Sequence, residues 1–457
     1  MKKITTPICD FVRGYAESKK TRMHMPGHKG SGVLGIETFD ITEISGADSL
    51  YEADGIIKES EENASTLFGA HTFYSTEGSS QCIRAMLHLA KTQAWLQKKH
   101  PYVWAARNAH KAFLSAAALL NMDVEWLYGS DEESYLSCSL APTVLEQMLG
   151  NATVLPSALY LTSPDYLGNV ADISAIAEVC HRYGVLLLVD CAHGAYLKFL
   201  ESSLYPTDLG ADMCCSSAHK TLPVLTGGAY LHLSKNIDAN TLDAAKKALA
   251  LFGSTSPSYL ILQSLDAANA YLANDCRENL SRTVARLDEL KKRLALHGYQ
   301  LVGNEPLKIT IATKSFGYTG VDFAEHLREN GIECEFADND FVVLMPSTDI
   351  GTDELAHLEM AATSLPQKEP MTITPPALAR SERALRICYA LLWPSETVTV
   401  EDSIGRVLAS PSVSCPPAVP IVMCGERIDE DAVSAFRYYG VQKVRVVIEL
   451  DKHLDKL

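Results

Sequence analysis

Residues 184–194 read Gly-Val-Leu-Leu-Leu-Val-Asp-Cys-Ala-His-Gly, and this stretch limits the choice of fold more than any other. Val185–Val189 are uninterrupted apolar residues of strand length, with no polar alternation. Such a strand must be buried on both faces, which is the condition inside a parallel sheet covered by helices. Similar runs stand at Ala158–Thr162 and Gly228–Leu233, and a further strand is predicted over 213–217. Segments of helical spacing lie between them. Ile83, Met86, Leu87 and Ala90 follow Gly78-Ser79-Ser80. Ile173, Ile176, Ala177 and Cys180 precede Gly184, which stops that helix. The alternation predicts an α/β fold around a mostly parallel central sheet flanked by helices, with a smaller α+β region towards the C-terminus.

At about 100–200 residues per domain, 457 residues allow two or three domains. Residues 1–45, with four closely spaced glycines, read as an arm of short helix and loop. Residues 46–285 form the large domain and 286–365 a small α+β domain. Residues 366–376 carry four prolines and read as a linker, followed by a C-terminal domain over 377–457. A charged amphipathic helix is predicted over 280–297, ending near Gly298.

Hydrophobic residues make up 47% and charged residues 21%, a globular balance. The formal charge of -16 argues against non-specific nucleic-acid binding, which needs many cationic contacts to phosphate. The 12 cysteines include no C-x-x-C pair, so neither a disulfide framework nor a zinc site is expected. A reducing cytoplasm is the expected compartment. The first twenty residues hold no secretory apolar run, and no stretch approaches the length of a membrane span. His24 and His28 are not expected to bind metal. Cys214-Cys215 read as strand packing, and Trp95, Trp104, Trp126 and Trp393 as core.

The chemistry concentrates where strands end. In a parallel sheet, ligands sit outside the carboxyl ends of the strands, which is where Asp190 and His193 fall. Ser216-Ser217-Ala218-His219-Lys220 follows a neighbouring predicted strand, so a carboxylate and an amine can converge on one ligand. Pyridoxal phosphate needs such a pair: a lysine to hold its aldehyde, and a carboxylate to keep its ring nitrogen protonated. The carboxylate–pyridinium bond is charge-assisted and worth roughly 1.5–3 kcal/mol. Gly78, Ser79 and Ser80 open a helix and offer the phosphate free N–H groups and the positive end of the helix dipole. The ordinary alternatives are an Asp190 helix cap, a surface Lys220 and simple serine capping.

Seven segments then stand in a fixed order: Met25-Pro26-Gly27-His28-Lys29, Gly55-Ile56-Ile57-Lys58, His71-Thr72-Phe73-Tyr74-Ser75, Arg107-Asn108-Ala109-His110-Lys111, Asp190-Cys191-Ala192-His193-Gly194, Ser217-Ala218-His219-Lys220 and Ser254-Thr255-Ser256-Pro257-Ser258-Tyr259. With them the chain resembles the bacterial Orn/Lys/Arg decarboxylase family, pyridoxal-phosphate enzymes of fold type I. The resemblance implies that Lys220 carries the cofactor and Asp190 pairs with its ring nitrogen. Ala192 would lie beneath the ring and His110 stack above it. Gly78, Ser79, Ser80, Ser217 and His219 would hold the phosphate, and His193 would sit near cofactor and substrate. His110 could otherwise be a histidine satisfied by the backbone at a helix start.

The implied activity is decarboxylation of an amino acid, expected to be basic (arginine, lysine or ornithine), giving an amine and carbon dioxide for polyamine metabolism. Lys220 or His193 would return a proton to Cα. A homodimer with shared sites is implied, with Ser256 reaching the partner's cofactor. Transamination, desulfuration, retro-aldol cleavage, or cofactor binding without turnover are the alternatives.

The resemblance weakens near the C-terminus. Family members typically have Gly-Arg-x-x-Ala-Glu, Pro-Tyr-Pro-Pro-Gly and Pro-Gly-Glu. Here the chain has Ser410 for the glutamate, Ser414-Cys415-Pro416-Pro417-Ala418, and Cys424-Gly425-Glu426. The lost acid puts a cationic substrate in question unless Glu43, Asp48 or Glu426 replaces it. Arg380, Arg383, Arg386 and Arg427 are candidates for the substrate carboxylate. Glu77, next to the phosphate loop, must point away from an anion.

Overall fold

The computed structural model describes residues 4–130, 133–377, 380–412 and 417–448. Seven strands form the main sheet: β1 (His71–Ser75), β2 (Tyr102–Ala106), β3 (Asp123–Leu127), β4 (Ala158–Thr162), β5 (Leu186–Asp190), β6 (Met213–Ser216) and β7 (Ala229–Leu233). Their order is β1-β7-β6-β5-β4-β2-β3, and only β7 runs against its neighbours. β5 starts one residue later than the apolar run, so Asp190 is the last strand residue rather than the first loop residue.

Alternate side chains of β5 enter different cores. Leu187 and Val189 join one with Ile173, Ile176 and Leu262, while Leu188 joins the other with Ile83, Met86 and Phe113. Helices on both faces thus explain the unbroken apolar run. Truncating one of these leucines to alanine costs about 2–5 kcal/mol.

The helix Cys276–His297 leads away from the main sheet and ends at Gly298, φ +115°. It begins four residues before the predicted start, because Cys276 and Leu280 share its buried stripe. It reaches an antiparallel sheet of order β10-β11-β9-β8, made of β8 (Gln300–Val302), β9 (Ile309–Ala312), β10 (Phe336–Ala337) and β11 (Phe341–Leu344). The loop before β9 is fixed to the loop that follows β4. Asn304 N and Glu305 N both donate to Gly168 O at 2.9 Å. Gly303 has φ +81°, and a Cβ there would lie 2.4 Å from Leu167 O. Only glycine allows that approach.

Residues 366–377 form neither helix nor strand. Beyond them β12 (Ser395–Thr399) and β13 (Lys443–Val447) pair antiparallel. The described residues at 417–421 return to the main sheet. Lys111 N donates to Ala418 O at 2.9 Å. The buried Arg107 guanidinium donates to Pro420 O at 3.0 Å and also to Ile421 O.

Cys214 and Cys215 are buried in β6, as expected of strand packing. Trp104 is buried, and Trp126 and Trp393 lie partly buried against one core. Trp95 departs from the expected core position. It is 58% exposed at the helix end, with Lys91 Nζ 4.7 Å over its ring, so a cation rather than the core partners it. Among the described residues, no helix is long and apolar enough to cross a membrane.

Candidate active site

β4, β5 and β6 are parallel, and their register brings Thr162 beside Asp190 and Asp190 beside Cys215. A cavity of about 250 Å³ opens at these strand ends. All ten residues singled out from the sequence line it: Gly78, Ser79, Ser80, His110, Asp190, Ala192, His193, Ser217, His219 and Lys220.

Asp190 is fixed from three sides. Its Oδ2 accepts from Tyr160 OH at 3.0 Å, and its Oδ1 accepts from Ala192 N at 3.1 Å and Cys215 Sγ at 3.5 Å. Burial pushes its carboxyl above the usual range, and the nearby Lys220 pulls it back. Lys220 is no surface lysine. It is partly buried, with Nζ 2.8 Å from His193 Nε2. The His193 ring lies 5.2 Å from that of Tyr166, and burial, then Lys220, hold His193 well below its ordinary pKa.

His110 stands at a helix start, as its ordinary reading expected. It caps the helix Lys111–Leu119, with Nδ1 accepting from Ala112 N at 3.1 Å, and it also lines the cavity. Burial and the Lys220 charge push it down to about 3, so the ring is neutral. The bond to Ala112 N leaves its proton on Nε2.

At the other end stands the helix Ser79–Leu96, whose cap Gly78 has φ +70°, a conformation costly for any other residue. Gly78 N donates to Gly227 O at 2.8 Å, and Ser217 Oγ donates to Ser79 Oγ at 2.9 Å. The first N–H groups of a helix have no intrahelical partner, so this end is an anion cradle. Glu77 is exposed and turned away, accepting from Ser254 N at 3.3 Å. Two buried cavity-lining atoms, Asn108 Oδ1 and Thr162 Oγ1, have no partner among the described residues. Such atoms call for a polar ligand.

Sequence reasoning missed several residues that line the cavity or stand behind its lining. Tyr160 orients Asp190. Glu335, at the cavity wall, accepts from Tyr166 OH at 3.0 Å. Lys308 Nζ lies 3.0 Å from His193 Nδ1. Pro417, Ala418 and Val419 close the top, with Ala418 at φ +60°. The one sequence signal for Lys308 is a lysine set between Leu307 and the apolar start of β9.

Other candidates lie elsewhere. Arg383 and Arg386 pair with Asp123, Arg427 with Glu382, and Arg380 lies over the Tyr128 ring at 5.0 Å. None of the four lines the cavity. Asp48 accepts from Gly55 N and Ile57 N at a helix start, and Glu426 from Met423 N, so both carboxylates are engaged away from it. Glu43 is exposed and accepts from Thr42. Ser410 Oγ donates to Ser412 O, and Ser256 is exposed on this chain. Cys424 is buried, which pushes its thiol up to about 12. Ser414, Cys415 and Pro416 lie outside the described residues.

Residues 6–303 match the Orn/Lys/Arg decarboxylase major domain, and residues 390–445 the Orn/Lys/Arg decarboxylase C-terminal domain. An arginine decarboxylase of Halalkalibacterium halodurans is 30% identical, covering 94% of this chain and 93% of its own. The uncharacterized Bacillus subtilis protein YaaO is also 30% identical, covering 99% and 96%. The Francisella novicida lysine decarboxylase LdcF superposes with a TM-score of 0.78 at 14% identity, covering 98% of this chain and 82% of its own. At that identity the superposition speaks for the fold alone, and the fold is the fold-type-I arrangement.

Proposed function

The chain belongs to the Orn/Lys/Arg decarboxylase family, and from that premise we propose that it is a pyridoxal-phosphate-dependent decarboxylase of a basic amino acid (arginine, lysine or ornithine). One observation carries the reading. Asp190 and Lys220, at the ends of adjacent strands, share a single cavity with an anion cradle at Gly78–Ser80 and a second carboxylate, Glu335.

The donor set fits the cofactor. Lys220 would hold the aldehyde, Asp190 would accept from the ring nitrogen, and Ala192 and His110 would flank the ring. Gly78, Ser79, Ser80, Ser217 and His219 would hold the phosphate. Thr162 Oγ1 and Asn108 Oδ1, both without partners, are available to the remaining polar atoms. When bound, the cofactor supplies an aldehyde for the substrate amine and a ring that takes up the electrons of the bond broken at Cα.

The residues select what happens next. Asp190, already oriented by Tyr160, would meet the ring nitrogen. A neutral His110 adds no competing charge above the ring. His193 and Lys220, 2.8 Å apart, would be the groups placed to deliver a proton to Cα. Pro417–Val419 keep water from the reacting centre. Asp190 and Glu335 are the only carboxylates among the described cavity residues. With Asp190 committed to the floor, Glu335 is the anion left to meet a cationic side chain. It takes the place of the acid lost at Ser410.

The assignment of residues 46–285 to cofactor binding, 286–365 to a small domain, 366–376 to a linker and 377–457 to a decarboxylase-like domain belongs to this proposal. So do the N-terminal arm 1–45, a homodimer with shared sites, a cytoplasmic location and a place in polyamine metabolism. The test is incubation of the cofactor-loaded protein with arginine, lysine and ornithine, following carbon dioxide, amine, keto acid and sulfide. Equimolar amine and carbon dioxide from one of the three are expected. Keto acid, sulfide or no product from any of them would overturn the reading.

A further inference from the structure

His219 lines the cavity next to the anion cradle, and its protons can be counted. Its Nδ1 lies 3.0 Å from Gly228 O, and its backbone N–H donates to the same oxygen at 3.2 Å. A carbonyl oxygen only accepts, so Nδ1 carries a proton whatever the charge of the ring. The preceding carbonyl, Gly227 O, accepts from Gly78 N at 2.8 Å. Two consecutive carbonyls thus hold the imidazole and the start of the helix Ser79–Leu96 side by side. The other ring nitrogen, Nε2, has no hydrogen-bond partner among the described residues. In a neutral ring it offers a lone pair and no donor.

A lone pair is unsuited to a phosphate dianion, and little else in the cavity balances that charge. A phosphate monoester carries about −1.5 to −2 at pH 7, with its second pKa at about 6. The helix start supplies the equivalent of roughly half a positive charge. Among the described lining residues Lys220 is the only lysine or arginine, while Asp190 and Glu335 are carboxylates. Lys220 is the amine proposed for the aldehyde. Burial, then Lys220, holds the other two histidines, His110 and His193, towards the neutral form. Burial lowers His219 as well; the bond to Gly228 O opposes it and Lys220 adds to it. By itself the His219 ring is therefore neutral above pH 7.

We propose that His219 and a bound phosphate share one proton, so that the site takes up a proton from solvent when it takes up a phosphate monoester. The proton can sit on Nε2, which then donates to a phosphate oxygen. It can equally sit on that oxygen, which then donates to Nε2. Both arrangements hold one proton more than the dianion and the neutral ring bring with them. Cofactor retention is thereby tied to pH. Affinity for the phosphate falls as pH rises, because the separate partners are deprotonated and the bound pair is not.

This sharing rests on the proposed pyridoxal-phosphate site, and cofactor-free protein tests it with 4-deoxypyridoxine 5′-phosphate, which has no aldehyde for Lys220. Phosphorus NMR of the bound ligand and nitrogen NMR of the histidine-labelled chain are recorded at pH 7.5. Either a singly charged phosphate or one histidine ring newly cationic on binding is expected. A dianionic phosphate with every histidine as neutral as before overturns the proposal, and that measurement needs no variant to fold. Affinity is then measured by calorimetry at pH 7 and pH 8. In His219→Gln, whose amide can donate but does not titrate, the loss of affinity over this step should be smaller than in the unmodified chain by about three- to tenfold. Equal losses in a folded His219→Gln overturn the proposal while leaving the cofactor site in place. A ligand that does not bind at all overturns both.

Discussion

The floor and the upper wall of the cavity are built in different ways. The floor residues Asp190, Ala192, Ser217 and Lys220 stand at or just past the ends of β5 and β6, whose backbone ladder fixes their spacing. The upper wall comes from elsewhere: Glu335 from just before β10 of the small sheet, and Pro417–Val419 from the C-terminal region, while Lys308, just before β9, stands behind His193. Arg107 holds that region by bonds spanning 313 and 314 residues of sequence. A floor set by strand ends suits the part of the chemistry that belongs to the cofactor. A wall assembled from distant segments can change with the substrate. The described departures from the family pattern, Ser410, Ala418 and Cys424, fall outside the floor.

The division predicts different kinetic failures. Asp190→Asn, a floor change, removes a charge-assisted bond worth roughly 1.5–3 kcal/mol. Turnover should fall about ten- to a hundredfold while cofactor is retained, as steady-state rates and visible absorption would record. Unchanged turnover would refute the role of Asp190. Glu335→Gln, a wall change, should raise KM for the basic substrate about fivefold, the worth of roughly 1 kcal/mol. Its kcat should change little. A collapse of kcat like that of Asp190→Asn would erase the distinction between the two regions.

Stability separates them as well. Glu426, in the C-terminal region, is buried, and burial raises its carboxyl from the ordinary 4.5 to about 7. The folded chain therefore binds more protons than the unfolded one between these values. The stability so gained is complete below 4.5 and is lost as pH rises through 7. The melting midpoint should drop as pH goes from 5 to 8, and Glu426→Gln should make that slope shallower by about 2 °C. Glu305, also raised to about 7 by burial, keeps some slope in the variant. A steeper slope in Glu426→Gln would contradict the assignment. The smallest effect concerns Ala418, which has φ +60° where the family stretch has glycine. The left-handed conformation costs an ordinary residue roughly 1–2 kcal/mol, against about 0.5–1 kcal/mol for the greater freedom of unfolded glycine. Ala418→Gly should stabilise the chain by about 0.5 kcal/mol in denaturant unfolding.

The floor was legible because its signals are local. The apolar run before Asp190, the helix periodicity after Gly78 and the short motifs around His193 and Lys220 each lie within a few residues. The sheet then brings them together by a rule that parallel strands obey. The wall was not legible. Lys308 faces His193 across 115 residues, and Glu335 reaches Tyr166 across 169. No periodicity encodes such pairings, and a lone lysine before a strand carries no mark of its burial. The arginines at 380–386 and 427 looked suited to a substrate carboxylate only because their actual partners, Asp123 and Glu382, could not be paired from sequence.

The central claim is that Lys220 is the amine that takes the cofactor. Borohydride reduction of the protein after incubation with pyridoxal phosphate, followed by peptide mass mapping, tests it directly. A pyridoxyl group on Lys220, absent in Lys220→Ala, is the predicted result. A modification at Lys308 or at a surface lysine instead, or none at all, would contradict the account.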